Sequence, residues 1–424
     1  MRLDKVFSIF KIKEIRKKVF FVFVMMVIFR LAANIPIPGI DRSKLSEFFQ
    51  ANQFFGLMNV FTGGAMERLS LVMIGLGPYI TAIIIMQLLS LVFPKLEQMY
   101  KEEGEAGRKK FNQYARIATV PFAIVQGFSM LKILESQGVL GEISNITLVA
   151  AIFSITAGSV FLMWIGELIT EKGIGNGISL LIFAGIIADV PNSIRQSLYN
   201  WDPSQITQYL IFGALSVIII IGVIIVNEAR RNVPVSYAKR VRGNKMYGGV
   251  STYLPMMINP AGVIPIIFAM SIMMLPGILA GLFTGSSIRY ISRGVELVNN
   301  LFTNAWLYGL FYFLLVVLFT FFYTAVTFDP KNIAENLQKM GGFVPGLRPG
   351  KQTSDFLSRI LNRVLLLGAV FLGLIAVAPT IVQGLTGITS FSFAIGGTAL
   401  LILVSVVLET SKQIESQLEM REYD

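Results

Sequence analysis

The sequence predicts an all-α protein that crosses a membrane ten times, and three observations carry that prediction. Of the 424 residues, 54% are hydrophobic and only 14% charged, whereas a soluble domain carries about 25% charged residues. Ten apolar stretches follow one another along the chain, most of them close to the 20 or so residues that a helix needs to span hydrocarbon. The third observation is the sorting of cations. If each stretch crosses once, one set of loops and tails holds 28 of the 36 Lys and Arg and the other set holds 7, counting Lys132 at the outer end of the third stretch with its loop, with Arg30 inside the first stretch. The positive-inside rule then puts both termini in the cytoplasm. Dropping or adding one crossing would interleave basic and non-basic loops, so the asymmetry also supports an even count.

The first stretch, residues 19–35, follows a tail with seven Lys and Arg and lacks a small-residue cleavage site, so it reads as an anchor rather than a removable signal. Arg30 lies 12 residues beyond Lys18, about 18 Å along a helix, and can snorkel toward the outer face. Residues 54–66, from Phe54 to Met66, are too short and glycine-rich to cross, yet too apolar to sit free in water. They either lie flat at the membrane interface or fold back into a cavity of the protein, and composition leans to the first. The second stretch (69–93) contains Gly75, Gly77 and Pro78, the fifth (178–190) is about 13 residues before Pro191, and the seventh (255–283) carries Pro255, Pro260, Pro265 and Pro276. Broken helices at membrane depth are tolerated where protein or a water-filled cavity satisfies the freed backbone, so a cavity is expected. The remaining stretches run over 117–134, 146–169, 209–226, 307–328, 364–382 and 391–408.

Chemistry is constrained by what is missing. Cys and His are both absent, which removes thiolate nucleophiles, nucleophilic triads, most transition-metal sites and the usual proton shuttle near neutrality. No enzyme activity, cofactor or metal site is expected. Lys132 and Glu167 sit near the ends of the third and fourth stretches, so both read as interfacial. Gln87 and Gln126 are the inner polar groups and read as helix-to-helix hydrogen bonds. No relay of ionisable groups for an ion-coupled transporter can be assembled. The pairs Ile80/Ile84 and Ile182/Ile186 each share one helix face at i, i+4 spacing. On pattern alone they are lipid-facing or core residues, although a ring of such side chains would also block water and ions by dewetting. Loops 227–254 and 329–363 are long, polar and basic, with Lys239, Arg240 and Arg242 in one and Arg348 and Lys351 in the other. Topology alone would put cations there, but the length of the loops favours docking of an acidic or phosphate-rich partner such as RNA. No Gly-x-x-x-x-Gly-Lys-Ser/Thr loop is present, so any energy source lies in a partner.

Seven motifs carry a resemblance. They are Phe61-Thr62-Gly63-Gly64-Ala65, Leu76-Gly77-Pro78-Tyr79-Ile80, Lys101-Glu102-Glu103-Gly104-Glu105-Ala106-Gly107-Arg108-Lys109-Lys110, Gly173-Ile174-Gly175-Asn176-Gly177-Ile178-Ser179, Tyr237-Ala238-Lys239-Arg240, Ala261-Gly262-Val263-Ile264-Pro265 and Phe343-Val344-Pro345-Gly346-Leu347-Arg348-Pro349-Gly350. In this order, from the first stretch to the tenth, they resemble the SecY family of the general protein-secretion translocase. The resemblance implies a protein-conducting channel made of two inverted-repeat halves of five spans, residues 1–190 and 191–424, around a central hourglass pore that opens sideways between spans two, three, seven and eight. It further implies a pore ring of Ile80, Ile84, Ile182, Ile186, Ile267 and Ile402. The segment at about 54–66 resembles the family's plug, including Phe55, Leu57, Met58, Val60, Phe61, Gly63 and Gly64, which overrules the interfacial reading. Lys239, Arg240, Arg242, Arg348 and Lys351 resemble the docking surface for the ribosome, with its RNA, and for the SecA motor ATPase. The implied companions are the small membrane subunits SecE and SecG, with signal peptides and nascent chains as substrates. The implied location is the bacterial inner membrane.

Overall fold

A computed structural model describes residues 12–37, 59, 62–136, 138–140, 144–199, 203, 206–237, 240–242, 245–247, 251–283, 293–295, 304–386 and 397–422. Each of the ten apolar stretches holds a helix: α1 (Lys13–Ala32), α2 (Gly77–Val92), α4 (Gly104–Ser136), α5 (Asn145–Lys172), α6 (Gly177–Tyr199), α7 (Ile206–Glu228), α8 (Ile264–Leu282), α9 (Ala305–Thr327), α11 (Lys351–Thr386) and α12 (Gly397–Glu422). Two short helices, α3 (Pro94–Lys101) and α10 (Pro330–Lys339), lie in loops. By length and composition, four described helical runs can cross a membrane: 104–136, 145–172, 306–339 and 351–378. A fifth qualifies if α2 and α3 are one broken span. Shorter apolar helical runs occupy 177–191, 213–228 and 264–279.

The prolines act differently from one another. Pro78 sits in the first turn of α2 and Pro94 in the first turn of α3, where no helical N–H is lost. Phe93, just before Pro94, is extended (φ −105°, ψ 109°), as a residue preceding proline prefers, and the two helices meet there at 116°. Pro191 does not end the fifth stretch as its position suggested. Helix α6 runs through it to Tyr199, just as α4 runs through Pro121 and α8 through Pro276. Pro255 belongs to a strand and Pro260 to a turn, so the seventh stretch becomes helical only from Ile264.

Close packing relies on small residues, as in membrane bundles generally. A Cβ on Gly158 of α5 would lie 2.0 Å from the Leu71 carbonyl oxygen, and one on Gly177 would lie 1.8 Å from the Gly166 carbonyl oxygen.

The two long basic loops are one unit. Strand β1 (Arg230–Tyr237) pairs antiparallel with β4 (Ser251–Met257), from Arg230 opposite Met257 to Ser236 opposite Ser251. On its other edge β1 pairs with β5 (Gly342–Phe343), Ser236 opposite Phe343 and Tyr237 opposite Gly342. The sheet order β4-β1-β5 therefore joins loop 227–254 to loop 329–363. A second ribbon, β2 (Arg240–Arg242) with β3 (Lys245–Tyr247), is carried between β1 and β4. Val233 and Met256 from the sheet pack with Val344, Leu357 and Leu361 into a small apolar core beneath it.

Candidate functional site

The six isoleucines that the sequence singled out all lie in one buried apolar cluster. Ile80 and Ile84 come from α2, Ile182 and Ile186 from α6, Ile267 from α8 and Ile402 from α12, and each is at most 8% exposed. Their neighbours include Leu76, Val263, Phe319 and Leu372. Helices distant in sequence thus turn branched aliphatics toward one another, and the alternative that these residues face lipid does not hold.

On one side of this cluster lies a cavity of about 310 Å³, with Ile80 and Ile267 on its wall together with Tyr79, Gln87, Arg116 and Glu167. Arg116 Nε is 2.5 Å from Glu167 Oε1, and the Tyr79 hydroxyl donates to the same oxygen at 3.1 Å. The Glu167 side chain is 16% exposed, so pairing offsets the cost of desolvating its charge. Gln126 Nε2 donates to Thr81 Oγ1 at 3.3 Å, the helix-to-helix bond expected of it, between α4 and α2. The Gln87 side-chain carbonyl has no hydrogen-bond partner among the described residues. Lys132 pairs with Glu135 at 2.7 Å with both side chains partly exposed.

On the chain between α1 and α2, Gly63 and Gly64 are described and buried, while Phe55, Leu57, Met58, Val60 and Phe61 lie outside the described residues. Residues 62–76 form successive turns with Gly63, Gly64 and Gly75 at positive φ (68°, 75° and 63°). The Asn59 side chain holds the start of these turns, accepting from Glu67 N at 3.0 Å while its amide donates to Glu67 Oε2 at 3.1 Å. Behind them, Ile37 N donates to Leu69 O at 2.9 Å and Leu71 N to Ile35 O at 2.8 Å, tying the segment to the end of α1. Gly63 packs so close to α6 that an added Cβ would stand 2.8 Å from Gly185 Cα. Arg30 does not simply reach for the outer face: its guanidinium donates to the Gly63 carbonyl at 2.5 Å.

Of the cations expected at a docking surface, Arg240 and Arg242 are on β2, Arg348 and Lys351 are exposed beside α11, and Lys239 lies outside the described residues. The Arg348 main chain is fixed from α11: Thr353 Oγ1 donates to its carbonyl at 3.0 Å, and its N–H donates to Gln352 Oε1 at 3.3 Å. One polar network escaped sequence reading. Asn227 Nδ2 donates to Ser405 Oγ at 2.7 Å, Asn259 Nδ2 donates to Asn227 Oδ1 at 2.9 Å, and Lys412 pairs with Glu228 at 2.7 Å, linking α7, the connection from β4 to α8, and α12 at the edge of the sheet. Nothing in the local sequence around lone Asn residues marks such a junction.

Comparison with known proteins gives a consistent answer. The SecY family model matches residues 70–411. The chain is 43% identical to the protein translocase subunit SecY of Thermus thermophilus over 438 residues, covering 100% of this chain and 97% of that one. It is 41% identical to the same subunit of Thermotoga maritima over 426 residues, covering 98% and 95%. Among solved structures, one described as a protein-conducting channel superimposes with a TM-score of 0.64 at 20% identity, covering 93% of this chain and 91% of that one. Sec61 in a canine ribosome–channel complex gives a TM-score of 0.62 at 20% identity, with the same coverage. Those two likenesses show a shared, mostly helical fold, while the sequence matches go further: the chain belongs to the SecY family of protein translocase subunits.

Proposed function

We propose that this chain is the pore-forming subunit of a secretory translocase, passing unfolded polypeptides across the bacterial inner membrane and releasing apolar segments sideways into lipid. The observation that carries the reading is the convergence of Ile80, Ile84, Ile182, Ile186, Ile267 and Ile402, from four helices, on one buried cluster. A passing chain presents every kind of side chain, so its gasket must close around all of them and bind none. Branched aliphatics supply bulk without directional bonds and exclude water when nothing passes. In this reading the ten helices cross the membrane as two halves, 1–190 and 191–424, with both termini cytoplasmic, and residues 54–66 plug the resting channel.

Sideways release requires a seam. Helices α2 and α4 pack on α8, and α8 packs on α9; Ser129 Oγ of α4 donates to the Ile278 carbonyl of α8 at 2.6 Å across that contact. When the seam parts, an apolar segment exchanges the channel for lipid, where each Leu, Ile, Phe or Val gains about 0.3–0.6 kcal/mol. Recognition is then of hydrophobicity rather than of sequence. The basic sheet is the docking platform for the SecA motor or the ribosome, and SecE and SecG complete the membrane complex.

The test is site-specific crosslinking. A secretory substrate arrested in transit should crosslink to photoreactive probes at positions 84, 182 and 267. If it crosslinks elsewhere in the chain but to none of these three, the pore assignment is wrong.

A further inference from the structure

The guanidinium of Arg30 is the feature that the pore, the seam and the platform leave unused. It is in the last turn of α1, inside the first apolar stretch, where a charge is retained only with a partner and a role. Its acceptor is the main-chain carbonyl of Gly63, reached across 33 residues. Two further charged groups converge there. A Cβ on Gly64 would stand 3.6 Å from Asp189 Oδ1 of α6 and 4.0 Å from Arg68 Nε. Arg68 is in turn bonded to Asn34 Oδ1, and Asn34 Nδ2 donates to the Arg30 carbonyl at 2.7 Å. The Asp189 carboxylate stands beside the same turn and offsets part of the repulsion between the Arg30 and Arg68 guanidiniums.

From this geometry we infer that Arg30 is a positioning residue for the closed channel: a latch that holds the root of the plug segment against α1 and α6 through the Gly63 carbonyl. The inference rests on residues 54–66 being the plug. The acceptor is main chain in a left-handed turn (φ 68°), so it is in place only while that turn is folded and seated against Gly185. The latch therefore reports backbone position rather than side-chain identity, and it releases as a unit when the segment moves. One charge-assisted hydrogen bond to a partly buried acceptor is enough to shift a closed–open balance by about tenfold or more.

The experiment measures ion leak, with no substrate added, through channel complexes purified from cells and reconstituted into lipid vesicles. Arg30→Met should raise the leak about tenfold over the unsubstituted channel while polypeptide transport persists, and Arg30→Lys, which keeps a donor and the charge, should restore most of the seal. Asp189→Asn should raise the leak less than Arg30→Met does, and it stands in as the test should the Arg30→Met chain fail to accumulate. Deleting residues 54–66 separates the two levels of the reading. Leak on deletion with a tight Arg30→Met channel (or a tight Asp189→Asn channel, where that variant is the test) overturns the latch alone. No leak on deletion overturns the plug itself.

Discussion

The apolar centre and the loop platform are built from opposite kinds of contact. In the centre, Ile84, Ile186 and Ile402 are almost fully buried against other aliphatic side chains, and such contacts are non-directional and summed over area. They can part and re-form without leaving a polar group unpaired. In the platform, seven paired positions between β1 and β4, and two between β1 and β5, fix a single register. Slipping that register by one residue would turn buried Val233 and Val235 outward. In the proposed channel the first region would have to yield and the second to hold still, and the two classes of contact suit those two tasks.

The largest expected effect comes from giving the yielding region a directional group. Ile84 is 0% exposed; Ile84→Asn removes its apolar burial and places an amide without partners in the cluster, for a combined loss of about 3–5 kcal/mol. Ile84→Val should cost about 1 kcal/mol and keep the seal. Thermal unfolding in detergent, read beside resting ion leak in vesicles, checks both. If the two variants behaved alike, the centre would not be a dry aliphatic seal.

A smaller effect is expected where the centre meets backbone. Gly63→Ala sets a Cβ 2.8 Å from Gly185 Cα on a residue at φ 68°. The strain and the overlap together cost about 2 kcal/mol, and it falls on the seated position of the segment. Resting leak should rise while partner binding at the platform stays unchanged; a channel as tight as the original would show that Gly63 does not need its close seat.

These differences track what could be read from the chain. Helices were legible because hydropathy and loop charge report on solvent, a property of each residue and its near neighbours. The isoleucine pairs on α2 and α6 were visible as spacing, but their inward direction depends on four helices meeting and was open from pattern alone. Ile267 and Ile402 rested on motif matching, and both fall in the same cluster as the other four. The position of Pro191 suggests a helix end because proline removes an i to i−4 hydrogen bond, yet α6 continues through it to Tyr199. The pairing of Ser236 with Phe343 joins residues more than a hundred positions apart, and neither strand alone encodes the other. The acceptor of Arg30 is a main-chain carbonyl, which no residue type announces, so its place in the sequence suggests only snorkelling.

The smallest effect on stability should belong to the platform's cations, and there the contrast is sharpest. Arg348 is exposed, and the bonds that fix its loop come from its own main chain to Thr353 and Gln352, so reversing its side chain leaves them intact. Arg240→Glu combined with Arg348→Glu should change unfolding free energy by no more than about 0.5 kcal/mol. Binding of a motor or a ribosome should nevertheless weaken about tenfold at low salt, and the difference should shrink as added salt screens the charge interaction. Sedimentation of ribosomes or motor with channel-containing vesicles across a salt series measures this. Unchanged binding would leave the cations to topology alone. A drop in stability with binding intact would mean that the arginines hold the sheet together, and the platform would then owe its rigidity to charge rather than to the register of its strands.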